Sequence, residues 1–240
     1  MKIVSVPGER IAYSILPYKR NQDIIKIIPD AKDSPLVVSL VDGWNWKEKI
    51  PGDSAGFRAA TFVAKEYPQT FLSLKEKDLE KRAEVTSKLI DAKLLEKYPQ
   101  HVSAVGLFLF DFGEKLTLVF IGKGTVLTWN GKAWQKPKKI GNYSLKEASS
   151  FPNDVSRFFG RGELKSDPFY SAKPDVVTIS PQVPVFLATD GLDNVMTIED
   201  LNIFSVGRMN GTPEQFIGDL VNEIERRDTQ KDDISLLLRM

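Results

Sequence analysis

The order of apolar patterns along this chain predicts an α+β fold, with strands and helices in segregated layers and not in a doubly wound parallel sheet. Three observations carry this. Short strand-like runs crowd the first forty residues, two helical patterns then follow one another directly, and a second block of short strands comes after them. No repeat, low-complexity tract or Gly/Ser/Pro-rich linker divides the chain, so residues 1–240 read as a single domain.

The apolar runs Ile24 to Ile28 and Leu36 to Val41, set off by Pro29, Asp30, Asp33 and Pro35, predict two strands. A helix is expected from Gly52 to Tyr67, with Asp53 and Ser54 able to cap it and Pro68 to stop it. A second should run from about Leu74 to Lys97, with Leu79, Ala83, Thr86, Leu89, Ile90, Lys93 and Leu94 on one face. Val102 to Asp111, Leu116 to Ile121 and Thr125 to Trp129 read as a meander, turned at Phe112-Gly113-Glu114 and Gly122-Lys123-Gly124, with Asn130-Gly131 opening another hairpin. Residues 136–173, rich in Gly, Pro, Ser and Asp, have the length and composition of a flap over a scaffold. Val183 to Ala188 predicts a buried strand. Thr212 as cap, Pro213 at the first position and Glu214 in the first turn open a helix to about Arg227, and Ile234 to Leu238 closes with a strand.

Lys and Arg number 33 against 32 Asp and Glu, and a net charge of +1 offers no general attraction to nucleic acid or to an anionic membrane. Cysteine is absent, which removes disulfides, Cys-based zinc sites and thiol nucleophiles. His101 is the only histidine, so a histidine-rich metal site is poorly supported. No apolar run approaches the ~20 residues that span a bilayer, and the start lacks the apolar core of a leader, so a cytoplasmic location is expected.

Acids stand at the ends of the most apolar strands. Val37 to Val41 leads to Asp42-Gly43, Val185 to Ala188 leads through Thr189 to Asp190-Gly191, and Asp232-Asp233 precedes Ile234 to Leu238. With the last strand antiparallel to the other two, these acids would share one sheet edge. Clustered carboxylates repel unless a cation neutralises them, and hard Mg²⁺ or Mn²⁺ suits such oxygen ligands. The glycines let the backbone turn sharply and leave the Gly43 carbonyl open to a metal. Two metals a few ångströms apart would activate a bridging water for phosphate-ester hydrolysis. A single Asp-Gly pair is most often only a turn; three acids in one strand context point to a site.

In order along nearly the whole chain, these residues resemble the metal-dependent protein phosphatases of type 2C. Arg20-Asn21-Gln22-Asp23 resembles the family's early Asn-Glu/Gln-Asp element, and Val38 to Gly43 its second, metal-binding element. Ser103-Ala104-Val105 resembles its central strands, Asn153 to Gly160 the stretch opening its variable flap, and Phe186 to Leu192 and Lys231 to Ser235 its last two signatures. The resemblance implies a four-layer αββα sandwich with two antiparallel sheets and two Mn²⁺ or Mg²⁺ ions. By position, Asp42 would bridge both metals, the Gly43 carbonyl would bind one, and Asp190 and Asp232 the other. Asp23 would orient a water by hydrogen bonding, and Arg20 is the nearest candidate for the phosphate-binding arginine.

The chain also departs from the family. Arg20 lies three residues before Asp23 where five is common, and Tyr18 holds the usual place. Asp42-Gly43-Trp44-Asn45-Trp46 stands where His-Gly-Gly or Met-Gly-Gly follows Asp-Gly, and Gly122-Lys123-Gly124-Thr125 replaces Gly-Asp-Ser-Arg, so Lys123 takes the place of an acid tied to a third metal. The resemblance implies a protein serine/threonine phosphatase acting on phosphorylated proteins opposite a cognate Ser/Thr kinase. The departures motivate the alternative of a pseudophosphatase that binds phosphoproteins as a scaffold. Retention of mutually repelling acids favours the enzyme.

Overall fold

The computed structural model describes residues 3–6, 10–18, 22–28, 35–45, 55–98, 102–138, 140, 158–160, 172–230 and 232–240; for residues 44 and 45 it describes the backbone alone. The fold is α+β, as the sequence predicts; the described residues form two antiparallel sheets, as the resemblance implies, and four α-helices. The chain divides into two compact units, residues 22–123 with 139–179, and residues 1–21 with 124–138 and 180–240.

The first unit holds a five-stranded sheet in the order β3-β4-β5-β6-β9, built from Asp23–Ile28, Leu36–Asn45, Val102–Asp111, Leu116–Ile121 and Asp175–Ile179. Helices α1 (Ala55–Ser73) and α2 (Leu79–Lys97) belong to the same unit. Val37, Val41, Phe108, Phe110 and Val119 project from the sheet into a core with Ala60, Val63, Tyr67 and Phe71 of α1 and Ile90 and Leu94 of α2. Tyr67 stacks on Phe108 at 4.0 Å between ring centroids, and Phe71 on Phe110 at 4.3 Å, so aromatic pairs lock α1 to β5. The alternate residues Val38, Leu40, Leu107 and Leu109 are buried too. A strand apolar on both faces reads as a continuous run, which explains why β5 shows no alternation.

The second unit holds a six-stranded sheet in the order β1-β2-β11-β10-β7-β8: Ile3–Ser5, Ile11–Leu16, Ile234–Arg239, Val185–Ala188, Thr125–Trp129 and Trp134–Gln135. Helices α3 (Ile198–Ser205) and α4 (Pro213–Arg227) accompany it. Phe216, Ile217, Leu220, Val221 and Ile224 give α4 an apolar stripe packed with Phe186, Leu236 and Leu238. Capping boxes start both helices, Thr197 with Asp200 and Thr212 with Gln215. Arg227 then ties the two together, bonding Glu223 at 2.9 Å, pairing with Asp200 at 3.5 Å and donating to the Val195 carbonyl at 3.2 Å.

Several expectations are corrected. Pro68 does not stop α1, which runs on to Ser73 with the proline buried on its core face; packing outweighs the lost helical bond, ordinarily worth a few kcal/mol (~3). Helix α2 starts at Leu79, because the Asp78 carboxylate caps the amides of Glu80 and Lys81. Its buried face is Ala83, Thr86, Ser87, Ile90, Asp91 and Leu94, while Leu89 is 42 % exposed. The expected meander breaks after β6. With Gly122 at φ 103° and Gly124 at φ 132°, the chain leaves one sheet and β7 joins the other, beside β10. Strands β1, β2 and β9 and helix α3 were not singled out from the sequence. The proposed caps Asp53 and Ser54, His101 and most of the 136–173 segment lie outside the described residues.

Candidate metal centre

In the five-stranded sheet, β3 and β4 pair so that Asp23 stands directly opposite Asp42. Residues in direct register share a face with Cβ atoms about 5 Å apart, and like charges there are unfavourable unless something neutralises them. Asp23 is 1 % exposed, so bulk water does little screening at that carboxyl.

Asp42 and Gly43 do not end the strand, as the sequence suggested, but lie within β4, which continues to Asn45. Gly43 donates its amide to the Gln22 carbonyl at 3.3 Å. Its φ is outside the left-handed region, so turning is not why glycine is needed. A Cβ there would sit 2.0 Å from the carbonyl oxygen of Gly56 on α1. Close approach of helix to strand is the requirement, and Gly56 is a partner that no sequence motif announced.

The six-stranded sheet repeats the device. Strands β10 and β11 are antiparallel with Ala188 opposite Leu236, which puts Asp190, just past the end of β10, and Asp232, just before β11, at the same end of the pair. Thr189 accepts from the Ser235 amide through Oγ1 at 2.9 Å and donates its own amide to the Ser235 carbonyl at 3.0 Å. Asp190 opens a 3-10 turn, Asp190–Asn194, and a Cβ on Gly191 would meet the Asp233 carbonyl oxygen at 2.0 Å. Thr125 Oγ1 donates to Asp193 Oδ1 at 2.9 Å, holding the far side of that turn. Asp233, buried, accepts the Tyr18 amide at 2.7 Å, while Asp232 is exposed and caps the Asp233 amide at 2.9 Å.

The structure therefore brings Asp23 to Asp42, and Asp190 to the end that carries Asp232, but these acids belong to two different sheets and not to one sheet edge. Among the described residues, no group of three or more His, Asp or Glu side chains forms a ready ion site. The donors themselves, carboxylates and a strand carbonyl, are those that hard divalent cations select, and in that chemical sense the residues fit Mn²⁺ or Mg²⁺. Arg20 and Trp46 lie outside the described residues, as does the Trp44 side chain. Lys123 sits in a turn between two positive-φ glycines.

No family model matches this chain, and no curated protein matches it. Solved structures match over almost its whole length. A bacterial serine phosphatase aligns at TM-score 0.74 and 15 % identity, covering 97 % of each chain. The serine/threonine phosphatase Stp1 from Staphylococcus aureus aligns at 0.73 and 16 %, over 100 % of this chain and 96 % of that one. The catalytic domain of the serine/threonine phosphatase PstP, solved with two manganese ions, aligns at 0.65 and 15 %, over 95 % and 96 %. The chain has the fold of the type 2C serine/threonine phosphatases. Among the described residues, no helix is long and apolar enough to cross a membrane.

Proposed function

We propose that the chain is a metal-dependent protein serine/threonine phosphatase that hydrolyses phosphoserine and phosphothreonine in cytoplasmic phosphoproteins, opposite a Ser/Thr kinase. The observation that carries this reading is the Asp23–Asp42 register pair beside a glycine jammed against Gly56. The acid end of β10 and β11, built the same way around Gly191, supports it, and the phosphatase fold supplies the context.

In this reading Asp42, the Gly43 carbonyl, Asp190 and Asp232 hold two Mn²⁺ or Mg²⁺ ions. When bound, such ions neutralise phosphoryl charge and lower the pKa of water. Asp23 would accept a hydrogen bond from a water at the centre and fix its orientation. Arg20 offers a planar fork to the phosphate oxygens. Gly43 and Gly191 let the Gly56 and Asp233 carbonyls approach closely beside the candidate donors, so packing contributes to where those donors sit.

The test is hydrolysis of para-nitrophenyl phosphate and of a phosphothreonine peptide with Mn²⁺, with Mg²⁺ and with chelator, for the natural chain and Asp42→Ala. Metal-dependent turnover that disappears in the variant supports the phosphatase. Metal and phosphopeptide binding without turnover supports the scaffold alternative that Trp44, Trp46 and Lys123 motivate. A chain that neither binds Mn²⁺ nor cleaves either ester overturns the reading.

A further inference from the structure

Asp91 is a buried acid that has no part in the proposed centre. It lies on the core face of α2 and is 4 % exposed. Its Oδ1 accepts the Gly160 amide at 2.8 Å, across 69 positions of sequence. Gly160 is held from three further directions. Its carbonyl accepts from the buried Ser103 hydroxyl at 3.3 Å, its φ of +80° is one that side chains resist, and a Cβ would stand 2.2 Å from the Val102 carbonyl. The preceding residue, Phe159, is wholly buried and forms a two-bond bridge with Ala104, at 3.2 and 2.9 Å. On its other side Ala104 is the register partner of Gly43.

A short ladder thus runs from Asp91 through Gly160 and Phe159 to Ala104, and from Ala104 to Gly43. Strand spacing puts Phe159 about 10 Å from Gly43, two ladder steps away. The first residues of β5, Val102 to Val105, lie outside the β6 register, which begins at Gly106 opposite Ile121. Both backbone hydrogen bonds of Ala104 go to Phe159, so it faces Gly43 as a register partner without a hydrogen bond between the two, and the 159 bridge is what fixes its backbone. We propose that Asp91 is a positioning residue for the Asp42–Gly43 strand end, acting through Gly160, Phe159 and Ala104, and that it sets divalent-cation affinity there without touching the ion. This rests on the metal-centre reading above.

Partners that orient ligands from behind typically change metal affinity ~10–100-fold. The experiment titrates Mn²⁺ into the full chain by calorimetry, for the natural protein, Asp91→Ala and Asp91→Asn, and follows amide exchange at Gly43 and Ala104 without metal. The asparagine side-chain oxygen can still accept the Gly160 amide. Asp91→Ala is expected to weaken Mn²⁺ binding about tenfold and to speed exchange at Gly43, with Asp91→Asn within about threefold of the natural chain. Gly160→Ala, which leaves the carboxylate in place, should reproduce the loss, and it takes over as the test if Asp91→Ala does not fold. Unchanged affinity in Asp91→Ala overturns the proposal, as does an asparagine variant as weak as the alanine one. If the natural chain binds no Mn²⁺, the metal-centre reading fails by itself. Exchange then decides the positioning role: faster exchange at Gly43 in Asp91→Ala upholds it, and unchanged exchange overturns it.

Discussion

The Cβ that Gly191 lacks would lie 2.0 Å from the carbonyl oxygen of Asp233, so the turn carrying Asp190 and the segment carrying Asp232 are in backbone contact. Any larger residue must push them apart. Gly191→Ala should therefore destabilise the fold by about 1–3 kcal/mol, the usual cost of overpacking a tight interior. Gly113 is the control: its φ is +78° but nothing lies within 4 Å of its missing Cβ, so Gly113→Ala should cost only the left-handed backbone term, about 1 kcal/mol. Urea denaturation of the two variants measures both. Equal losses would refute the close-contact account.

Asp190→Asn keeps the shape of the side chain and removes the charge a cation would need. Mn²⁺ affinity should drop and metal-dependent turnover should fall ~100-fold or more, a loss at least as large as that for an orienting partner. Circular dichroism should be unchanged. Undiminished turnover would reject Asp190 as a ligand.

Tyr67 is fully buried, with its hydroxyl 3.3 Å from both the Ala83 carbonyl and Ser87 Oγ. Desolvation raises its pKa far above the ordinary value of 10.0, and the Ser87 bond lowers it only in part. The folded state therefore keeps the proton more tightly than the unfolded one. Stability from this group is full below pH 10.0 and declines as pH rises beyond it, since only the unfolded chain ionises readily. Tyr67→Phe should lose about 1 kcal/mol at neutral pH and show a shallower alkaline decline. Thermal melts between pH 8 and 11 test this, and parallel curves would count against it.

Acid should loosen the other unit. Hydrogen bonding within the Thr197 cap holds the Asp200 carboxyl below its ordinary 3.8, and Arg227, then Arg226, hold Glu223 below 4.5. Both folded values are depressed, so their contribution is present above those ordinary values and disappears as pH falls through the lower, folded ones. These groups are exposed and the effect should be small and salt-sensitive. In Arg227→Gln, the fall in melting temperature between pH 5 and 3 should be shallower, as read from the fluorescence of buried Trp134.

The α+β class was legible because apolar strand runs and helix caps are local signals: Thr212-Pro213 opens α4, and Asn130 turns the β7–β8 hairpin, accepting from the Lys132 and Ala133 amides. The two antiparallel sheets came only from the resemblance. Partners were not legible. Nothing local tells β7 to abandon β6 for β10, or assigns Asp42 and Asp190 to different sheets, because long-range pairing chooses between edges of similar composition. Pro68 misled for the same reason, its buried contacts overriding a local rule. Asp42 and Asp190 were found by their place after apolar runs and Asp232 by its place before one, while Asp23 came from the resemblance; the role of the glycines was misread as turning when it is clearance. Asp91 gave one signal, an acid in step with Ala83, Ser87, Ile90 and Leu94, which looks like a solvated position until the helix face is known.

The six-stranded sheet seats β2, residues 11–16, against β11, residues 234–239. As the chain leaves the ribosome, β2 must wait for its neighbour until more than two hundred residues have followed it, whereas β3 through β6 find theirs within a single stretch of synthesis. The five-stranded unit should then be largely assembled while β1 and β2 still expose an open edge, a state in which unpaired strands invite intermolecular association. Vulnerability to aggregation during biosynthesis is thus concentrated in the unit that carries Asp190 and Asp232; a holding chaperone would protect that unit first, and slow translation would prolong its exposure.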